Sequence, residues 1–199
     1  MKSTNLKRIL PYILIICGLI GLGSAAILTQ DTMHMLSNPA YRPSCDLNPI
    51  IACGDVMQSK QATVFGFPNP IIGLIAFPAL ITIGIAMLAG GTFKRWFWIG
   101  AELAATFGIG FVHWLFFESV YRIHTLCPYC MGVWLITIIS FVYVSAYNLS
   151  EGNLTIPGRY GKTVANWILR HHIDIIIAWA LIIFILIMHH FWYYYGKHL

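Results

Sequence analysis

Five long apolar runs follow one another along the chain, separated by segments that hold most of its charged and turn-forming residues. Each run is about 20 residues long, the length that an α-helix rising about 1.5 Å per residue needs to cross the core of a bilayer. The pattern therefore predicts five membrane-spanning helices, near residues 9–30, 69–90, 96–118, 126–147 and 173–195.

Composition agrees with a membrane protein, because 58% of the residues are hydrophobic and only 10% are charged. The first run follows basic residues, as the core of a secretory signal peptide would. It is longer than such a core, and it offers only a poor cleavage site near Gly23–Ala26. We therefore expect it to remain as the first helix of an all-α integral membrane protein.

The basic residues are unevenly divided between the two sides of the predicted membrane protein. If the N-terminus is cytoplasmic, the inner segments carry eight of the 12 Lys and Arg residues, namely Lys2, Lys7, Arg8, Lys94, Arg95, Arg159, Lys162 and Arg170. The outer segments carry Arg42, Lys60, Arg122 and Lys197. This division follows the positive-inside rule. The net charge of +5 thus indicates orientation, and without a basic stripe between aromatic residues we expect no nucleic-acid partner.

The segments between the runs predict how the chain is divided. Residues 1–147 hold the first four helices, and within them the outer segment 31–68 is rich in Asn-Pro and Arg-Pro turns. Residues 148–172 are predicted to be an inner connector, a surface loop with a short interfacial helix. Residues 173–199 are predicted to be the fifth helix and a short outer tail.

A Cys-x-x-Cys motif, Cys127-Pro128-Tyr129-Cys130, opens the fourth run. The spacing alone fits zinc, haem or a reversible disulfide. Pro128 suits the first turn of a helix, which makes Cys127 the N-cap and places Cys130 in that turn. The free N–H groups and the dipole at a helix N-terminus favour a thiolate, which is the reactive form of cysteine. The motif therefore predicts a reactive dithiol.

Cys45 and Cys53 lie in the outer segment and form a second pair. One interpretation is an unreactive disulfide that staples the loop. Successive helices cross the membrane in alternating directions, so the fourth helix begins on the outer side. Both cysteine pairs therefore face the same compartment. Because thiol–disulfide exchange needs a thiolate within reach of a disulfide, the two pairs predict a two-electron relay. Cys17, within the first run, is predicted to be an unreactive buried thiol.

Two dithiols in series need an electron acceptor. The sequence has no glycine-rich nucleotide loop and no Cys-x-x-Cys-His motif. A lipid-soluble quinone beside Cys130 would suit a site among apolar helices. Asn69, followed by Pro70 at the head of the second helix, is predicted either to cap that helix or to donate a hydrogen bond to a carbonyl ligand.

The motifs occur in a specific order along the chain: Cys45-x7-Cys53, Ser59, Phe65-Gly66, Asn69 opening a helix that contains Gly73, and Cys127-Pro-Tyr-Cys130 opening the fourth helix. In this order they resemble the vitamin K epoxide reductase (VKOR) family in its bacterial form, over residues 9–147. The resemblance implies a four-helix bundle around a quinone, capped by the loop between helices one and two, with the fifth helix peripheral.

The resemblance also implies a role for each cysteine. Cys45 would exchange with a thioredoxin-like partner, Cys53 would pass electrons to Cys127, and Cys130 would react with the quinone. The implied quinone-binding set is Asn69, Ser59, Phe65 and Trp134. Asn69 would bond a quinone oxygen, Ser59 matches a serine tied to loop stability and relay, and Trp134 stands where some members have a quinone-binding tyrosine.

Many bacterial members carry a thioredoxin-like domain after the fifth helix, and this sequence shows none. The expected electron donor is therefore a separate extracytoplasmic thioredoxin-fold (DsbA-like) protein. The expected acceptor is the quinone pool (ubiquinone or menaquinone class) of the bacterial cytoplasmic membrane. Three alternatives remain open: a DsbB-type quinone reductase, in which the Cys-x-x-Cys pair comes first, a metal-handling membrane protein using that pair, and a structural protein with one loop disulfide.

Overall fold

The computed structural model describes residues 3–38 and 40–195. The helices within them are α1 (Ser3–Ser37), α2 (Cys53–Gln58), a 3₁₀ helix (Lys60–Thr63), α3 (Pro70–Leu88), α4 (Arg95–Phe117), a π-helix (Glu118–Ile123), α5 (Pro128–Ser150), α6 (Gly161–His190) and α7 (Trp192–Tyr195). In this described part of the chain five helices, α1, α3, α4, α5 and α6, are long and apolar enough to cross a membrane. The predicted all-α fold with five such helices is confirmed.

Glycines allow α1 and α3 to pack at close range. A Cβ atom at Gly84 would lie 2.7 Å from the carbonyl oxygen of Pro11, and one at Gly18 would lie 2.6 Å from Cγ1 of Ile81. Helices in lipid associate largely through such contacts between small residues, because lipid chains are as apolar as the side chains. α3 packs mainly on α1, and α5 packs on both α1 and α4, so these helices form the bundle.

α6 lies at the edge of the bundle and packs mainly on α5. It is also tied to α4, because Nε1–H of Trp179 donates to Nε2 of His113 at 2.8 Å. His113 therefore carries its proton on Nδ1, which donates to the carbonyl oxygen of Ile109 at 2.8 Å. With both ring nitrogens bonded, His113 serves to join two helices.

The first helix is longer than its apolar run predicts. α1 continues to Ser37, so the loop predicted to begin at residue 31 begins at residue 38. The polar residues past the apolar run find partners within the folded protein. Asp31 accepts a hydrogen bond from Tyr41 Oη at 2.7 Å, and Oγ1 of Thr32 donates to the carbonyl oxygen of Leu28 at 2.7 Å. Hydropathy marks only the part of a helix that lies in the membrane.

The connector predicted at residues 148–172 is mostly helical. α5 continues to Ser150 and α6 begins at Gly161, which leaves residues 151–160 as the loop. The backbone leaves helical values at His171 (φ −110°, ψ 19°), so residues 161–170 form a short helix joined directly to the fifth span. The predicted short helix therefore exists, without a loop after it. Residues 196–199 of the predicted outer tail lie outside the described residues.

Candidate active site

Three cysteine sulfurs meet at one end of the bundle. Cys45 and Cys53 form a disulfide with an S–S distance of 2.03 Å. Sγ of Cys127 lies 3.3 Å from Sγ of Cys53, and both residues are fully buried. A thiol is thus held against a disulfide, as exchange between them requires. Cys45 is only 6% exposed, so neighbouring residues shield its sulfur from solvent.

A short parallel backbone bridge brings Cys53 and Cys127 together. It pairs Ile51 with Leu126. The N–H of Leu126 donates to the carbonyl oxygen of Ile50 at 2.7 Å. The N–H of Ala52 donates to the carbonyl oxygen of Leu126 at 3.0 Å. Cys127 directly follows Leu126, and Cys53 lies two residues after Ile51. The bridge therefore sets the distance between the sulfurs.

The segment that leads into the bridge turns sharply after α4. The π-helix Glu118–Ile123 ends at His124, which has left-handed backbone angles (φ 59°, ψ 31°). Oγ of Ser119 donates to the carbonyl oxygen of Thr125. In return, the N–H of Thr125 donates to the carbonyl oxygen of Ser119 at 3.2 Å. These bonds direct the chain from the end of α4 into the bridge.

The helix start at the Cys-x-x-Cys motif is confirmed. Cys127 is the N-cap of α5 with extended backbone angles, Pro128 lies in the first turn, and the N–H of Cys130 donates to Sγ of Cys127 at 3.4 Å. A hydrogen bond from the Cys130 thiol, with smaller contributions from the N–H groups of Cys130 and Tyr129, lowers the pKa of Cys127 below its ordinary value. Burial and the charge of Asp46 oppose this effect. The hydrogen bond from Cys130 thus favours the thiolate form of Cys127.

Asn69 stands at the N-cap position of α3, but the predicted capping bond is absent. The N–H groups that a cap would accept from are already used, since Ile71 donates to the carbonyl oxygen of Pro68 and Ile72 to that of Asn69. Nδ2 of Asn69 instead donates to the carbonyl oxygen of Gln61 at 2.7 Å. Oδ1 of Asn69 is buried and has no hydrogen-bond partner. Asn69 is therefore the N-cap residue, as predicted, but its side chain makes no capping bond and is oriented by the loop.

The other three residues of the predicted quinone-binding set occupy different surroundings. Oγ of Ser59 donates to the carbonyl oxygen of Val56 at 2.7 Å, at the end of α2. Phe65 is 49% exposed, and its ring centre lies 5.6 Å from that of Phe111 in α4. Trp134 is buried one turn after Cys130, edge-on to Phe116, with ring centres 5.3 Å apart.

Cys130 differs from Cys127 in being only partly buried. It packs at the edge of the apolar cluster that contains Trp134 and Phe116. A shallow groove of about 460 Å³ lies elsewhere, on α6 and α7, lined by Phe184, Ile185, Met188, His189 and Trp192. None of these groove residues belongs to the cysteine cluster.

A family model described as vitamin K epoxide reductase family matches residues 12–145, which include all four cysteines of the site. The chain belongs to the vitamin K epoxide reductase family. The resemblance inferred from the motif order is thereby confirmed. Membership in the VKOR family, together with the five apolar helices, makes the protein a multi-pass membrane thiol–disulfide oxidoreductase. No curated protein matches the chain at a significant level.

Within this VKOR fold, sequence analysis does not single out Gln61, Glu118 or Asn48 as parts of the site. Oδ1 of Asn48 accepts the N–H groups of Ile50 and Ile51, at 2.9 and 2.8 Å, and so braces the bridge. Glu118 could be found, since a carboxylate within an apolar span is a functional candidate by default. Gln61 and Asn48 lie in loops where no periodic pattern gives a signal.

Proposed function

We propose that this protein takes electrons from the dithiol of a thioredoxin-fold partner and passes them through Cys45–Cys53 and Cys127–Cys130 to a membrane quinone. The observation that carries the proposal is the 3.3 Å between Sγ of Cys127 and Sγ of Cys53, which is itself bonded to Cys45. In exchange, the attacked sulfur keeps the new bond and the other sulfur leaves. Attack on Cys53 would release Cys45, the cysteine assigned to the partner.

Each transfer moves two electrons and two protons. The partner dithiol reduces the Cys45–Cys53 disulfide and becomes a disulfide itself. The thiolate of Cys53 then attacks Cys127 of the Cys127–Cys130 disulfide, and Cys130 leaves as a thiolate. Cys45 attacks Cys53, which restores the first disulfide and releases Cys127. The described state, with Cys45–Cys53 bonded and the other two cysteines free, matches the end of this sequence.

The apolar residues against which Cys130 packs, Trp134 among them, suit a quinone. Bound there, a quinone would supply the two-electron acceptor that returns Cys127 and Cys130 to a disulfide. Asn69 would hold one of its oxygens, and the buried, unpartnered Oδ1 supports a ligand at this place. α3, which follows Asn69, packs mainly on α1, and within the described residues it makes few contacts with α4. We infer that a lipid-soluble molecule would enter between α3 and α4 and that Trp134 and Phe65 would be its aromatic neighbours.

The same proposal includes location and orientation. All four cysteines would lie on the extracytoplasmic side of a bacterial cytoplasmic membrane, where a separate thioredoxin-fold protein would meet them. The uneven division of Lys and Arg supports this orientation. Reoxidation of the partner would then support disulfide bond formation in other proteins of that compartment.

The proposal is tested by quinone reduction in phospholipid vesicles. Full-length protein, a reduced thioredoxin-fold donor and a ubiquinone or menaquinone analogue are combined, and quinone absorbance is followed. We expect one quinone reduced per donor dithiol, and loss of this activity in Cys45→Ala and in Cys130→Ala. Cys17→Ala is the matched control and should keep the full rate, because Cys17 is buried among apolar residues.

Two results would contradict the proposed function. One is a wild-type protein that reduces no quinone with any thioredoxin-fold donor. The other is a Cys130→Ala variant that reduces quinone at the wild-type rate. Release of stoichiometric metal from the wild type, together with no dependence on quinone, would favour the metal-handling alternative instead.

A further inference from the structure

A buried carboxylate lies next to the site and has no part in the thiol chemistry. Glu118, in the π-helix after α4, is 4% exposed. Nε2 of Gln61, in the 3₁₀ helix of the loop, donates to Oε2 of Glu118 at 2.9 Å. Arg122 lies 3.6 Å from the other oxygen, and its side chain is mostly exposed. The short, charge-assisted bond of Glu118 is therefore the one with Gln61.

Gln61 continues this chain of hydrogen bonds to Asn69. The backbone carbonyl oxygen of Gln61 accepts from Nδ2 of Asn69 at 2.7 Å, and the carbonyl oxygen of Ala62 accepts from the backbone N–H of Asn69 at 2.8 Å. A reversed Asn69 amide would set its oxygen against the Gln61 carbonyl, and neither atom could donate. Gln61 therefore fixes which way the Asn69 amide faces.

This orientation decides what Asn69 can offer to a ligand. One N–H of Nδ2 is used by Gln61, which leaves the second N–H and Oδ1. Oδ1 is buried without a partner, which is unfavourable unless a donor arrives. A quinone oxygen accepts a hydrogen bond, and the hydroxyl of a hydroquinone donates one. The amide thus has one group for each redox form.

We propose that Glu118 and Gln61 are positioning residues of the quinone site: the Glu118 carboxylate holds Gln61, and the Gln61 carbonyl holds the Asn69 amide so that its second N–H and its oxygen are both left for the ligand. This inference rests on the proposed function. Neither residue contacts a cysteine sulfur in the described contacts. Loss of the hydrogen bonds that link Glu118, Gln61 and Asn69 should weaken quinone binding and leave exchange among the cysteines unchanged.

The first test compares Gln61→Leu with Gln58→Leu. The two glutamines lie three positions apart in the same loop region, and Gln58 is exposed at the end of α2. Gln61→Leu should raise both the equilibrium Kd and the KM for the quinone analogue about ten-fold, as loss of an orienting hydrogen bond does. Single-turnover exchange from Cys45–Cys53 to Cys127–Cys130 should stay within about two-fold of wild type. Gln58→Leu should change neither quantity.

The second test exchanges donor and acceptor. Gln61→Glu places two carboxylates together and should raise the Kd at least as much as Gln61→Leu. The double variant Gln61→Glu with Glu118→Gln restores a hydrogen bond of opposite direction and should recover quinone affinity, a coupling that a merely structural role would not show. Thermal melting of each variant identifies any that fails to fold.

The outcomes separate this inference from the proposed function. An active wild type with an unchanged Kd in Gln61→Leu overturns the positioning role alone. A folded double variant that recovers none of the lost affinity also overturns it. A wild type that binds no quinone analogue overturns both the positioning role and the proposed function.

Discussion

Sγ of Cys127 lies 3.3 Å from Sγ of Cys53, although the two residues are 74 positions apart in the chain. Backbone hydrogen bonds bring them together, through the bridge between Ile51 and Leu126. A backbone bridge would hold the two segments in place while the cysteine side chains change their bonds. The proposed relay would therefore depend on loop structure as much as on the cysteines.

Asn48→Ala should slow exchange between the two cysteine pairs. The change removes the oxygen that accepts the N–H groups of Ile50 and Ile51, and each unsatisfied group costs about 1–3 kcal/mol where it is buried. The segment before Cys53 then loses its fixed position against Leu126. We expect single-turnover exchange to fall about ten-fold or more, measured by trapping thiols with a mass-shifting reagent at successive times.

Asn38→Ala is the matched control for that experiment. Oδ1 of Asn38 accepts the N–H of Ala40 at 3.0 Å in an exposed turn of the same loop, away from the bridge. Its exchange rate should equal that of the wild type. Equal rates in Asn48→Ala and Asn38→Ala would show that the bridge does not limit the relay.

Removal of the Cys130 thiol should raise the pKa of Cys127. The hydrogen bond from Cys130 is the largest cause of the lowered pKa, since it stabilises the thiolate. The titration is best made with Cys17, Cys45 and Cys53 replaced by alanine, so that Cys127 cannot form a disulfide with Cys53. Adding Cys130→Ala should shift the ultraviolet thiolate absorbance of Cys127 to higher pH. A midpoint that stays in place or moves to lower pH would contradict this assignment.

Gly84→Ala should destabilise the bundle, whereas Gly23→Ala should not. A Cβ at Gly84 would meet the backbone oxygen of Pro11 at 2.7 Å, which no side-chain rotation relieves, and Gly23 has nothing within 4 Å. Overpacking of this kind costs about 1–3 kcal/mol. Thermal unfolding in detergent should show a lower midpoint for Gly84→Ala and an unchanged or higher one for Gly23→Ala. Equal midpoints would mean that the contact between α1 and α3 accepts a methyl group at Gly84 without loss of stability.

The head of α5 could be predicted from the sequence because its interactions are local. Pro128 has no N–H to lose in the first turn, and the bond from Cys130 N–H to Cys127 Sγ spans only three residues. Helix parity could likewise place both cysteine pairs at one end of the bundle. The distance between Cys53 and Cys127 could not be predicted, since an isolated bridge between two loops leaves no periodic signal.

Asn69 shows how a local preference fails. Asparagine favours the N-cap because its oxygen usually meets a free N–H. Here the backbone carbonyls of Pro68 and Asn69 accept hydrogen bonds from N–H groups of the first turn. The backbone carbonyl of Gln61 accepts a hydrogen bond from Nδ2 of Asn69. The partner of Asn69 belongs to a loop whose path depends on Glu118, 57 positions from Gln61. Contacts of that range are decided by the folded bundle.

The central claim is tested most directly by oxidation of a variant that carries Cys45→Ser and Cys130→Ser. Each pair then keeps one cysteine, and Cys53 and Cys127 face each other with no other bonding partner at the site. After mild oxidation, peptide mapping without reduction should find a Cys53–Cys127 disulfide in most molecules, with Cys17 still a free thiol. If Cys53 and Cys127 both remain open to alkylation, or crosslink only between separate copies of the protein, the relay described above does not exist.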